Sequence, residues 1–203
     1  MVDGKQYVYI IDDAASIRGA LAALFRSVGL NVETFADAND FLTRADLKHC
    51  ACIVLDIRLP GVTGLQLLER LNGDGNKVPV IVITAFADVP SVVRSFQNGA
   101  IDFFEKPVSD QAVLDCVQEA IRKESRRQNK ENELEVHRAR FRFLTERERD
   151  VMKLIVGGDS TSQIAAKLGL SEKTVEVHRS KIMAKTQAES LADLVRSAVL
   201  AGN

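Results

Sequence analysis

Five polar side chains in the first half of the chain each follow a short apolar run. Asp12 and Asp13 come after residues 8–11, Asp56 after 53–55, Thr84 after 80–83, and Lys106 shortly after 101–104. If those runs are parallel strands of an open sheet, all five side chains stand at carboxyl ends, the edge where such sheets build their sites. Carboxylates brought together repel one another unless a pKa rises or a hard cation such as Mg2+ is held on their oxygens. Mg2+ keeps waters and completes its shell with phosphate oxygens, while the Lys106 ammonium and the Thr84 hydroxyl can take the remaining oxygens of a phosphoryl group. One carboxylate is then the nucleophile. Asp56, on the central strand and followed by Ile57-Arg58-Leu59-Pro60-Gly61, is best placed to attack phosphorus and form an aspartyl phosphate. The bland alternative is that these are strand-end carboxylates capping helices, a reading that suits any single Asp better than the set.

The elements that must position these groups are legible from the apolar pattern. The four runs are too short for helices and too continuous for half-exposed strands, so they read as buried parallel strands, with residues 32–35 as a fifth. Between them lie helical patterns. The clearest places Ile17, Ala20, Leu21, Leu24, Phe25 and Val28 on one face, and later helices fall near 64–71, 88–97 and from 109 onward. Alternating strand and helix predicts a five-stranded, doubly wound α/β domain.

The chain of 203 residues has room for two small domains or one large one. At 46% hydrophobic and 27% charged residues, its composition is that of a globular protein and excludes a disordered, collagen-like or low-complexity chain. The longest apolar runs fall far below the roughly 20 residues that cross a bilayer, and no basic-then-apolar signal pattern opens the sequence. A cytoplasmic protein with no membrane partner is expected. The odd count of 3 cysteines suits a reducing compartment, and His49-Cys50-Ala51-Cys52 lacks the second ligand cluster that a metal site would need.

Charge is divided unevenly. Residues 1–120 hold 10 Lys+Arg against 16 Asp+Glu, and residues 121–203 hold 17 against 12. The acidic part could hold a cation and the basic part could meet a polyanion.

Over about residues 5–122 the sequence resembles the receiver domain of bacterial two-component response regulators, through IDDAAS, VLDIRLPGVTG, VITAFAD and GAIDFFEKP. The resemblance implies a flavodoxin-like fold that takes a phosphoryl group from a sensor histidine kinase onto Asp56. It implies Asp13, Asp56 and the Arg58 backbone carbonyl as Mg2+ ligands, with Asp12 acting mainly through water, and a cis peptide between Lys106 and Pro107. Family switching moves a hydroxyl residue and turns an aromatic inward; Thr84 matches the first and Phe103 the second. Phe103 has no hydroxyl and can report by packing only. Arg58 and Phe86 occupy positions that tune phosphate lifetime in the family. A haloacid-dehalogenase-type phosphatase shares the Asp, Thr, Lys and Mg2+, but it needs a second Asp two residues after the nucleophile, where Arg58 stands.

From residue 108 to 156 there is no Gly or Pro, and 122–140 are dominated by charged and amide side chains. Such a composition favours a solvated helix running on from the sheet domain, with a mobile linker as the alternative. Thr145 and Glu148 have capping-box spacing, so a helix starts near 146 and ends before Gly157-Gly158. Ser160 or Thr161 caps a short helix with Ile164, Ala165 and Leu168. Gly169-Leu170 turns the chain, Ser171 caps a helix to about Lys185, and a last helix carries Leu191, Leu194, Val195, Ala198 and Val199. Short helix, Gly turn and capped helix make a helix-turn-helix pattern.

On the helix from Ser171, Val175 and Ile182 define the buried side, and Lys173, Val177, Ser180 and Ala184 the opposite one, flanked by Glu176 and Lys181. That face suits a major groove. Lys181, Lys185 and Arg179 fit phosphates, Glu176 could accept from cytosine, Val177 could touch a thymine methyl, and Thr174 completes the candidate contacts. A solvated amphipathic helix is the plain alternative, and an RNA or protein partner for these helices is a third reading.

The stretch LTERERDVMKLIVGGDSTSQIAAKLGLSEKTVEVHRSKIMAKT resembles the LuxR-type DNA-binding domain, and the whole arrangement is similar to FixJ-like regulators of the NarL group. It departs from the family at Thr161-Ser162, where Asn-Lys or similar is frequent, and at Thr186, where an apolar residue is usual. The expected organisation is a receiver at 1–122, a helical linker at 123–141 and an all-α four-helix, helix-turn-helix domain at 142–203. The resemblance implies a transcription factor rather than a classical enzyme. It further implies binding to double-stranded promoter DNA, contact with RNA polymerase, and a homodimer on activation through the last helix and the receiver face near Phe103.

Overall fold

The computed structural model describes residues 6–201. Five parallel strands, β1 (Tyr7–Ile11), β2 (Asn31–Phe35), β3 (Cys50–Leu55), β4 (Val80–Thr84) and β5 (Ala100–Glu105), form one sheet in the order β2-β1-β3-β4-β5. Helices α1 (Ala15–Ser27), α2 (Ala38–Arg44), α3 (Gly64–Gly73) and α4 (Val89–Gln97) alternate with them. Strand alternation sorts the side chains into two cores. Tyr9, Ile11, Ile53, Leu55, Val80 and Val82 pack on one face; Val8, Ile10, Val54, Ile81 and Ile83 join Phe25 and Val117 on the other. The chain leaves β1 toward β2 on one side and reaches β3 on the other, so the strand order reverses between β1 and β3. Crevices form at such a point.

Two expectations need correction, and one element was not foreseen. The run 101–104 is not fully buried, because β5 is an edge strand and Ile101 is 49% exposed. On α1, Leu21, Ala22 and Phe25 are buried, while Ala20 is exposed and Val28 lies beyond the helix, 43% exposed. The short α2, capped by Asp37 accepting from Asp40 N–H, was not among the sequence-predicted helices; its seven residues are too few to display a helical period.

Helix α5 runs Asp110–Phe141, and the two compact units of the chain divide between Arg126 and Arg127. The second unit holds α6 (Glu146–Val156), α7 (Thr161–Leu168), α8 (Glu172–Thr186) and α9 (Leu191–Ala201). Their core is built on Val151, Met152, Ile155, Ile164, Val175, Ile182, Leu194 and Ala198. Thr145 and Ser160 each close a capping box, and Gly169 turns the chain at φ +64°, a backbone region open to glycine. The apolar stripe expected on α9 is split: Leu194 and Ala198 enter the core, and Leu191 and Val199 stay exposed. Among the described residues no helix is long and apolar enough to cross a membrane.

Candidate functional sites

At the carboxyl edge of the sheet, one carboxylate oxygen from each of Asp12, Asp13 and Asp56 lies within 4.8 Å of the others. Asp12 and Asp56 are 3% and 6% exposed, and Asp13 is exposed. Lys106 Nζ reaches both buried acids, at 2.6 Å from Asp12 Oδ2 and 2.6 Å from Asp56 Oδ2. Their other oxygens accept backbone N–H groups, Ala14 to Asp12 Oδ1 and Arg58 to Asp56 Oδ1, both at 2.9 Å. Burial pushes the Asp12 carboxyl above its usual pKa, against the pull of the Lys106 and Ala14 hydrogen bonds. Burial also opposes the charge on Lys106, but the hydrogen bonds to Asp12 and Asp56 outweigh it and raise its pKa. An all-oxygen set of three clustered carboxylates suits a hard divalent ion such as Mg2+.

Thr84 ends β4 fully buried; its Oγ1 accepts a 3.4 Å bond from Phe86 N–H, and its carbonyl accepts from Lys106 N–H at 2.8 Å. The Lys106-Pro107 peptide is cis. Phe103 is partly buried against the core around Tyr9 and Ile11. The structure thus brings Asp12, Asp13, Asp56 and Lys106 together.

Two neighbours, Arg18 and Gly64, are absent from the sequence-based expectations. Arg18 Nη1 donates to the carbonyls of Asp12 at 2.6 Å and Asp13 at 2.8 Å, pinning the acidic loop; an Arg on a helix one turn downstream carries no distinctive sequence signal. Gly64, at the start of α3, stands so close to β3 that an added Cβ would lie 2.0 Å from the Asp56 carbonyl oxygen. The Arg58 guanidinium lies over the Phe86 ring, 4.2 Å from its centroid.

His49-Cys50-Ala51-Cys52 forms no ligand cluster. A register irregularity in the β1–β3 pairing lets Cys50 and Cys52 enter opposite cores, and His49 faces Asp46. Burial pushes the Cys50 thiol up to about 12 and also raises the Cys52 thiol well above its usual value.

In the second unit, Lys173, Glu176, Val177, Ser180, Lys181 and Ala184 are exposed on α8 while Val175 and Ile182 are fully buried. Four of the candidate DNA contacts have other engagements. Lys185 Nζ is 2.7 Å from Glu148 Oε2; Thr174 is half-buried and bonded to Ser171; half-buried Arg179 places its Nε 3.9 Å from Glu176 Oε1. Glu176 Oε1 accepts from the Thr161 hydroxyl at 2.8 Å. Thr186 is buried without penalty because its hydroxyl donates to the Ile182 carbonyl at 2.7 Å.

An acidic pocket on a doubly wound sheet and a separate helix-turn-helix unit define a two-domain regulator. Residues 8–118 match the response regulator receiver domain, and residues 142–198 match the bacterial regulatory proteins of the luxR family. Nodulation protein W of Bradyrhizobium diazoefficiens is 40% identical over 192 residues, covering 95% of this chain and 85% of that protein. Transcriptional regulatory protein FixJ of Azorhizobium caulinodans is 40% identical over 195 residues, 96% of this chain and 92% of its own. The solved structure of response regulator StyR superposes with a TM-score of 0.87 at 39% identity, covering 96% of this chain and 98% of that one. The chain belongs to the FixJ-like response regulators, transcription factors that join a receiver to a LuxR-type DNA-binding domain.

Proposed function

We propose that Asp56 accepts a phosphoryl group from a phosphohistidine of a sensor histidine kinase, and that this controls binding of the second unit to promoter DNA. The observation that carries the reading is the bridging of Asp12 Oδ2 and Asp56 Oδ2 by one Lys106 ammonium beside Asp13. An Asp56 oxygen attacks phosphorus and the N–P bond breaks. Its electron pair returns to the imidazole, which leaves neutral when its other nitrogen carries the proton. Lys106 and the Thr84 hydroxyl bind the transferred oxygens, and buried Thr84 and partly buried Phe103 relay the change by repacking. Asp12, Asp13, Asp56 and the Arg58 carbonyl would hold Mg2+, which when bound supplies positive charge to the phosphoryl oxygens.

The domain limits that go with this reading are a receiver over 1–122, a linker over 123–141 and a DNA-binding domain over 142–203. On DNA, Lys173, Glu176, Val177 and Ser180 face bases and Lys181 faces phosphate. Thr174, Arg179 and Lys185 act from the flanks or hold the helix in place. Activated protein forms a homodimer, with the exposed Leu191 and Val199 and the receiver face near Phe103 as contacts, and engages RNA polymerase at the promoter in the cytoplasm. Footprinting on genomic DNA with and without a phosphoryl donor tests the reading. Donor-enhanced protection by the wild type but not by Asp56→Asn is expected; protection identical in both proteins, with and without donor, overturns it.

A further inference from the structure

We propose that Thr161 positions Glu176 for base recognition, so that the sequence preference of α8 depends on a hydroxyl of α7 that itself touches no base. The inference rests on the reading that Glu176 faces a base pair.

A carboxylate on a DNA-facing helix is repelled by phosphates everywhere, and is favourable only where a cytosine amino group donates to it. Its direction therefore matters more than that of a cation, which gains from any nearby phosphate. A free Glu side chain loses several rotamers on being fixed, and that loss falls on binding unless the protein has fixed it beforehand. Here the side chain is held from two sides. Thr161 Oγ1 donates to Glu176 Oε1 at 2.8 Å across the turn, and Arg179 Nε lies 3.9 Å from the same oxygen. Among the described residues no protein donor reaches Oε2, which leaves that oxygen for a ligand.

Thr161 is suited to this task by its place and its type. It is the first residue of α7, directly after the capping Ser160, and its β-branched side chain has few rotamers to lose. Its neighbours are differently engaged: Ser160 Oγ accepts from Gln163 N–H and lies 3.0 Å from Ser162 Oγ.

The competing role for a hydroxyl at the start of a helix is a direct phosphate contact, which positions the protein but carries no sequence information. The two roles give different signatures. The test is selection on randomised duplexes with the full chain treated with a phosphoryl donor, comparing wild type with Glu176→Ala, Thr161→Val, Thr161→Ala, Thr161→Ser and the Thr161→Val/Glu176→Ala double variant. Glu176→Ala should relax discrimination at one base pair by about tenfold. Thr161→Val and Thr161→Ala should each relax the same base pair by about threefold to tenfold, Thr161→Ser should keep the wild-type preference, and the double variant should match Glu176→Ala alone. The proposal is overturned if both Thr161 variants weaken all sequences by one common factor with the preference intact, or alter a different base pair. If Glu176→Ala itself leaves the preferred sequence unchanged, the underlying assignment of Glu176 fails and the proposal falls with it. An effect of Glu176→Ala without one of Thr161→Val removes the proposal alone.

Discussion

The ammonium of Lys185 lies 2.7 Å from Glu148 Oε2 and ties the last turn of α8 to the first turn of α6. The same oxygen accepts Thr145 N–H at 2.8 Å, so one buried carboxylate caps a helix and anchors the neighbouring helix. The hydrogen bond from Lys185, followed by that from Thr145, holds the Glu148 pKa at about 2, below its usual 4.5. Because the folded value is the depressed one, the stabilisation is fully present above pH 4.5 and is lost as pH falls toward 2. Glu148→Gln should lower the stability of the full chain by about 2 kcal/mol at neutral pH. In thermal melts the gap between variant and wild type should close on acidification; a gap independent of pH would contradict this account.

The same pair gives Lys181 and Lys185 different expected effects on DNA affinity. Lys181→Met should reduce the salt slope of DNA affinity by about one unit, whereas Lys185→Met should lower thermal stability and leave the slope unchanged. Equal slopes for the two variants, both below wild type, would return Lys185 to the DNA contacts.

Arg58 and Phe86 form a cation–π pair beside Asp56, an interaction of about 0.5–1 kcal/mol at an exposed site. If the pair covers the phosphoryl group from water, Arg58→Ala and Phe86→Ala should each speed hydrolysis of phosphorylated Asp56 severalfold. The double variant should be little faster than either single one, since each already opens the cover. Multiplicative effects in a single-turnover dephosphorylation assay would show that the two act separately.

Gly64 leaves no room for a side chain, with the Asp56 carbonyl oxygen 2.0 Å from where a Cβ would stand. Gly64→Ala must displace either α3 or the end of β3, at about 3 kcal/mol or more. A thermal melt should fall accordingly, and phosphorylation should be lost before DNA affinity; unchanged stability would show that the backbone yields freely.

The parallel strands and the carboxylate cluster were legible because continuous apolar runs ending in Asp, Thr and Lys leave a periodic trace. Helix ends in the second unit were equally plain, since Thr145, Ser160, Gly169 and Ser171 are local signals. Long-range choices left none. Whether Lys185 faces DNA or Glu148 depends on a partner 37 positions away, and both arrangements are compatible with a basic residue in the last turn of a helix. Arg18, bonded to two carbonyls, and Gly64, defined by its distance from another strand, were hidden for the same reason. The exposure of Ile101 follows from sheet order, which an apolar run does not encode.

The most direct measurement of the central claim is phosphate incorporation from a labelled small-molecule phosphoryl donor into the full chain, with Mg2+ or with chelator, for wild type and Asp56→Asn. The amide keeps the shape of the side chain and removes the nucleophile. The account predicts Mg2+-dependent incorporation of acid-labile phosphate into the wild type and none into Asp56→Asn. Equal labelling of the two proteins would contradict it.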